Sequence, residues 1–170
     1  QKIPLPSLDQ LFKYHLYEAS VQTPEEHVVL FRAMAQEQLR RRGDRGSLLN
    51  LREDFCGTFA ISTAWVQESD KHRAISLDLD PETLAVGYHK RMKNLDLETQ
   101  SRLTILEQDV CTVTKPLSDL VIGCNFSFCV FKQRAQMKEY LDCVRKSLRP
   151  GGMVILELAG GPGMIEKLRE

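Results

Sequence analysis

Apolar residues fall on two different periods along this chain. In the first quarter they recur at helical spacing: positions 8, 11, 12 and 16 form one stripe, and 28, 29, 31, 34 and 39 form another. That spacing predicts two helices before residue 43. Thr23-Pro24-Glu25-Glu26 opens the second in the form of a capping box with proline at the first helical position, and Gly43 and Gly46 end it. From residue 48 onward, short continuous apolar runs alternate with amphipathic stretches. Strands are predicted near 48–53, 73–79, 102–107, 118–124 and 152–158, and helices near 59–69, 81–94, 132–148 and from 162 onward. Asp80-Pro81 marks a helix start and Arg149-Pro150-Gly151-Gly152 a helix stop. Continuous apolar strands separated by helices imply a doubly wound parallel sheet covered on both faces. The predicted division is an N-terminal helical segment, residues 1–46, and an α/β core, residues 47–170.

Composition narrows the partners more than the fold. A chain of 170 residues is one domain, or most of one, and can bury a real core. Its 23 basic and 23 acidic residues cancel, so charge does not favour nucleic acid or another polyanion. The basic run Arg40-Arg41-Arg42-Gly43-Asp44-Arg45 falls at a helix end, where cations complement the dipole. The five cysteines, at 56, 111, 124, 129 and 143, form no C-x-x-C pair and have no histidine at zinc-site spacing. Reduced thiols in a cytosol or organelle matrix are expected. The longest uncharged apolar run, 120–131, is too short for a bilayer span. A first residue of Gln1 rather than Met leaves open a removed targeting segment.

The chemistry is concentrated where the first predicted strand ends. Leu49-Asn50-Leu51-Arg52-Glu53-Asp54 runs into Phe55-Cys56-Gly57-Thr58 and then a helix, and the second strand, Ile75-Ser76-Leu77, ends on the acid Asp78. A close turn followed by an acid at the next strand's end is how open α/β sheets hold a nucleotide-type cofactor. The backbone of the turn approaches the ligand, and the carboxylate accepts ribose hydroxyls.

With Gln108-Asp109-Val110 and Leu148-Arg149-Pro150-Gly151-Gly152-Met153 added, the stretch from about residue 14 to 161 resembles the class I S-adenosylmethionine-dependent methyltransferases. It is similar in particular to a subgroup marked by the string R-E-D-F-C-G-T, preceded here by Tyr17-Glu18-Ala19-Ser20-Val21-Gln22. The resemblance implies a Rossmann-like sheet of order 3-2-1-4-5, with the sixth and seventh strands of the family pattern missing from this stretch. It also implies S-adenosylmethionine as cofactor and an unidentified methyl acceptor. In the wider family the turn carries Gly-x-Gly-x-Gly; here Phe55 and Phe59 stand at two of those glycine positions. That departure would disqualify a pyrophosphate cradle, and with it a nicotinamide enzyme. A cofactor without phosphate could manage with Gly57 alone.

The cofactor residues implied are Glu53, Cys56, Gly57, Thr58, Asp78, Leu79, Asp109, Val110, Asn125 and Phe126. Glu53 would hold the methionine amino group; its plainer role is as an acid at the next helix's N-terminus. Asp78 would take both ribose hydroxyls. Asp109 would receive the adenine amino group, with the Val110 amide on the ring; its plainer role is a turn aspartate. Asn125-Phe126-Ser127-Phe128 would line the sulfonium and acceptor pocket. Arg52, a cation in an apolar strand, needs a partner, either Glu18 or the cofactor carboxylate. Tyr14 and Tyr17 are either part of a lid over the site or helix packing.

No metal, triad or catalytic base is implied, since methyl transfer from a sulfonium is driven by proximity and alignment. The alternative from another class is a methyltransferase-like module that binds without turnover. The last predicted strand, from Met153, would expose an edge open to a second copy of the chain, to the final helix or to further residues.

Overall fold

The structure is a computed structural model and describes residues 3–21 and 23–161. The helix predicted from 162 onward lies outside the described residues. The elements run α1 (Leu8–Val21), α2 (Pro24–Arg41), β1 (Asn50–Asp54), α3 (Ala60–Glu68), β2 (Arg73–Asp78) and α4 (Pro81–Lys90). They continue with α5 (Leu97–Ser101), β3 (Leu103–Glu107), β4 (Ser118–Gly123), α6 (Arg134–Ser147) and β5 (Leu148–Leu156). Short 3-10 turns, Met92–Asn94 and Ser127–Val130, follow α4 and β4.

All five strands are parallel, in the order β3-β2-β1-β4-β5. The alternation of side chains along each strand divides the core in two. Leu51, Leu120 and Ile122 face α2 and α3, packing with Phe31, Phe59 and Trp65. Ile75, Leu77 and Val121 face α6, packing with Tyr140 and Val144. The central strand β1 breaks its apolar run with Arg52, Glu53 and Asp54, all buried. Three adjacent buried charges are costly unless each is paired, and their partners organise the site.

Several local expectations are corrected. Thr23 makes no side-chain cap bond. Its carbonyl instead takes the His27 N–H at 2.9 Å, and His27 Nδ1 lies 2.9 Å from that same oxygen. In α2 the buried residues are Val28, Phe31, Ala35 and Leu39, whereas Val29 and Met34 are exposed. In α1 three of the four stripe residues face outward, Leu8 being 84% exposed, Phe12 62% and Leu16 51%, while Leu11 is half-buried. The buried residue of α1 is Tyr14, and the helix meets the start of α4 through Tyr14–Asp80 and Lys13–Glu82. β5 begins at Leu148, directly after α6, with a register irregularity between Ser118 and Leu120 on its neighbour. The helix stop at Arg149-Pro150-Gly151-Gly152 is therefore itself strand. Asp80, by contrast, caps α4 as expected, accepting from the Glu82 N–H at 2.9 Å.

Candidate functional site

The carboxyl ends of β1, β2 and β4 open into a cavity of about 490 Å3. Its floor is the β1–α3 turn: Phe55, Cys56, Gly57 and Thr58, with Asp78 beside them. The turn is left-handed at Phe55, Gly57 and Phe59, with φ of 55°, 54° and 46°. For glycine this conformation is free; for each phenylalanine it costs on the order of 1–2 kcal/mol. The chain therefore keeps the backbone of a three-glycine turn with one glycine.

The two phenylalanine rings leave that turn in different directions. Phe59 is fully buried and lies edge-on to Tyr88 of α4. It packs against Gly87, where an added Cβ would collide with the ring and with the Thr58 carbonyl oxygen. The Phe55 ring is half-buried beside Phe131 and Tyr140. Phe59 thus does not narrow the cavity, contrary to what its position in the motif implied; Phe55 remains part of the wall.

Asp78 is fixed by both of its oxygens. Oδ2 accepts from the Gly57 N–H at 2.7 Å and Oδ1 from the Asp80 N–H at 2.9 Å. Each oxygen keeps a further lone pair for a ligand hydroxyl. Glu53 lies below the turn and not among the residues lining the cavity. Its Oε2 accepts from the Ser62 N–H, in the first turn of α3, at 2.8 Å. Burial pushes its carboxyl up to about 7, while Ser62 and the Arg91 charge pull the other way. Burial likewise raises the Cys56 and Cys124 thiols, which keeps both protonated near neutrality.

Arg52 meets neither partner expected for it. Its Nε donates to Asp54 Oδ1 at 2.6 Å, and its Nη groups donate to Val110 O, Thr112 O, Thr114 Oγ1 and Ser147 Oγ. Tyr140 donates to the other Asp54 oxygen at 3.0 Å. The pairing is structural and lies on the α6 face because residue 52 alternates away from α3. Glu18 is held elsewhere, by Thr58, Lys90 and Arg91. Burial works against its charge, but the bonds from Arg91, Lys90 and Thr58 outweigh it and hold the carboxyl below its ordinary value.

Helix α1 forms the facing wall with Lys13, Tyr14 and Tyr17. Tyr14 donates to Asp80 Oδ2 at 3.4 Å, and Lys13 reaches Glu82 at 3.1 Å. Burial first, and then the nearby Asp80 charge, raise the Tyr14 hydroxyl well above its usual range. Asn125 and Ser127 close the third side. Asn125 is left-handed, at φ 52°, and its N–H is taken by Glu157 at 2.7 Å.

Of the residues expected from the sequence, Cys56, Gly57, Thr58, Asp78 and Asn125 are therefore brought together around one cavity. Leu79 and Asp109 are exposed, Phe126 is 43% exposed and Val110 is buried, and none of these four lines the cavity. Asp109 closes its own turn by accepting from the Cys111 N–H at 2.8 Å. Lys13, Thr83 and Val130 line the cavity without having been singled out. The signal available for Lys13 was its place on the polar side of α1 with Tyr14 and Tyr17.

A second hollow, about 600 Å3, follows the outer side of β5 between α2 and α6, away from these strand ends. Among the described residues no cluster of His, Cys, Asp and Glu is placed to hold a metal, and no helix is long and apolar enough to cross a membrane.

A parallel sheet of this order, with a ligand-sized cavity at its carboxyl end, is the Rossmann-like fold of class I methyltransferases. Among solved structures, the chain is similar to CalS10 with bound S-adenosylmethionine, an amino pentose methyltransferase from Micromonospora echinaspora. The identity is 18% and the TM-score 0.65, covering 89% of this chain and 58% of that one. Similarity extends to the sugar N-methyltransferase KedS8 from a Streptoalloteichus species, at 16% identity, TM-score 0.69, and coverage of 98% and 59%. The glycopeptide N-methyltransferase MtfA, complexed with S-adenosylmethionine, matches at 20% identity, TM-score 0.58, and coverage of 80% and 57%. The chain thus spans less than three fifths of the length of each. No protein-family model matches the chain, and no curated protein matches it.

Proposed function

We propose that this protein binds S-adenosylmethionine in the 490 Å3 cavity and transfers its methyl group to a small acceptor. One observation carries the reading: the Asp78 carboxylate is clamped by the Gly57 and Asp80 amides at the mouth of a left-handed turn, aimed at the cavity. A cavity of this size falls in the range for small-molecule and cofactor sites, roughly 300–1,000 Å3.

Asp78 would hold the ribose hydroxyls, with Cys56, Gly57 and Thr58 supplying the close backbone. Asp109, Val110 and Leu79 do not line the cavity, so they would meet the adenine only where it extends past the cavity's edge beside Asp78. Asn125 and Phe126 would border the reacting end, and Glu53 would act on the methionine end from beneath. The bound cofactor supplies a methyl group already activated by its sulfonium. The residues contribute alignment and exclusion of water, with α1 as the covering wall. By their names KedS8 and MtfA are N-methyltransferases of a sugar and a glycopeptide and CalS10 is an amino pentose methyltransferase, which supports a small-molecule acceptor here.

A binding module without turnover is favoured by one feature, the commitment of Glu53 to the Ser62 amide. Calorimetry with S-adenosylhomocysteine and with NAD is the first test; binding of NAD in preference overturns the cofactor reading. Methyl transfer from labelled S-adenosylmethionine to a cell extract then separates enzyme from module.

A further inference from the structure

Among the described residues, the most heavily bonded side chain lies outside the cavity. Arg52 is fully buried in the central strand. It makes five hydrogen bonds: Nε to Asp54 within β1, Nη1 to Ser147 Oγ of α6 and to Thr112 O and Thr114 Oγ1 of the β3–β4 connection, and Nη2 to Val110 O of the same connection. Ser147 accepts in turn from the Thr114 N–H at 3.0 Å and donates to Cys143 O at 2.9 Å. The connection is thereby latched at three residues within five to the middle of the sheet. At its upstream end the Gln108 N–H is taken by Asp78 O at 3.0 Å, beside the proposed ribose site. Among the described residues the Val110 N–H donates to no protein group.

Stability alone does not explain this arrangement. Replacing a buried ion pair by apolar side chains of similar volume is often neutral or stabilising. The guanidinium is distinguished by geometry: a planar fork can hold several carbonyls at fixed angles, which an ammonium cannot. The oxygens it holds belong to a segment with little regular structure of its own, whose first residues stand at the end of β3.

We infer that Arg52 is a positioning residue for the adenine end of the cofactor, fixing the 110–114 backbone so that Asp109 and Val110 present one donor–acceptor pattern to the purine edge. This rests on the proposed cofactor reading. Arg52 touches no ligand; it acts through the peptide groups it grips. Its removal should blur discrimination between purines beyond any general loss of affinity.

The test compares S-adenosylhomocysteine with S-inosylhomocysteine, in which the 6-amino donor is replaced by an oxo group. Both are titrated calorimetrically against the full chain, and each variant's melting without ligand is recorded separately. The intact chain is expected to prefer the adenine form by about tenfold or more, as for one good hydrogen-bonding edge against a mismatched one. Arg52→Lys, which keeps a charge for Asp54 but loses the fork, should bring that preference to within about threefold.

A folded Arg52→Lys variant with undiminished preference overturns the inference. If that variant does not fold, Ser147→Ala decides. It removes one anchor of the latch and leaves the Arg52–Asp54 pair in place, and it should lower the preference at least about twofold; an unchanged ratio overturns the inference. An intact chain that binds both forms equally overturns it too, while leaving the cofactor reading standing. An intact chain that binds neither overturns both.

Discussion

At the scale of single residues, the proposed role of Asp78 can be measured directly. A carboxylate accepting ligand hydroxyls contributes about 1.5–3 kcal/mol. Asp78→Ala should therefore weaken S-adenosylhomocysteine binding by about ten- to a hundredfold, as read by calorimetry; unchanged affinity removes Asp78 from the site. Glu53 offers a different measurement. Its carboxyl ionises near 7 in the fold against an ordinary 4.5, because burial disfavours the charge. Between those values the unfolded chain releases a proton that the folded one keeps. Stability from this group is therefore highest below about 4.5 and falls as pH rises toward 7, by on the order of 3 kcal/mol. Glu53→Gln should melt higher than the parent at pH 8, with the gap closing at pH 5; parallel melting profiles would show that Glu53 does not titrate in this range.

Side-chain direction at the turn was hidden from the sequence, although its residues were legible. Gly57 and Asp78 could be found from the order of strand, turn, helix and acid-ended strand. The fate of Phe59 could not, because it depends on Gly87 of another helix. The same holds for Arg52. A lone cation in an apolar strand announces that it needs partners, but the alternation placing it under the β3–β4 connection appears only once the sheet is built.

At the scale of elements, α1 shows what a periodicity can and cannot convey. The stripe at 8, 11, 12 and 16 marked a helix correctly but does not mark its docked side, where the contacts are those of Tyr14, Lys13 and Glu18. A helix docked by such groups can open at lower cost than one sealed by leucines, because exposed ion pairs such as Lys13–Glu82 contribute at most about 1 kcal/mol. We therefore expect α1 to behave as a lid anchored through Glu18 to Thr58, Lys90 and Arg91. Deleting residues 1–22 should cost about tenfold or more in cofactor affinity, roughly 1.4 kcal/mol, with a melting shift of only a few degrees. Paired calorimetry and thermal melting of the truncated and full chains test this, and a truncated chain that does not fold makes α1 a brace instead. The small helix α5 was absent from the sequence reading because five residues carry too little periodicity to register.

At the scale of the whole molecule, the sheet is graded from its centre outward. β1 and β4 are paired on both sides, whereas β3 and β5 lie at the ends of the order. Backbone amides of β1 and β4 should therefore exchange with solvent only on global unfolding, and outward-facing amides of β5 much sooner. Hydrogen exchange followed at several protein concentrations separates two cases. Slowing of the β5 amides as concentration rises would mean that copies of the chain pair through that edge; exchange independent of concentration would rule such pairing out. The parallel sheet was readable from continuous apolar runs alternating with helices, whereas its order came from the family resemblance. The outer hollow beside β5 was not, since it forms between α2 and α6, far apart in sequence.

The packing of Phe59 against Gly87 also has a consequence for heredity. The ring and the bare backbone are one unit divided between two helices, so neither position can drift alone. A descendant with glycine at 59 would carry a void next to α4, and one that acquired alanine at 87 would press on both the ring and the Thr58 carbonyl. Gly87→Ala should destabilise the fold by about 1–3 kcal/mol, and shrinking residue 59 should recover part of that loss. Among natural relatives, glycine at 87 should keep company with a large residue at 59. An alignment in which the two vary independently would show that the partnership belongs to this chain alone.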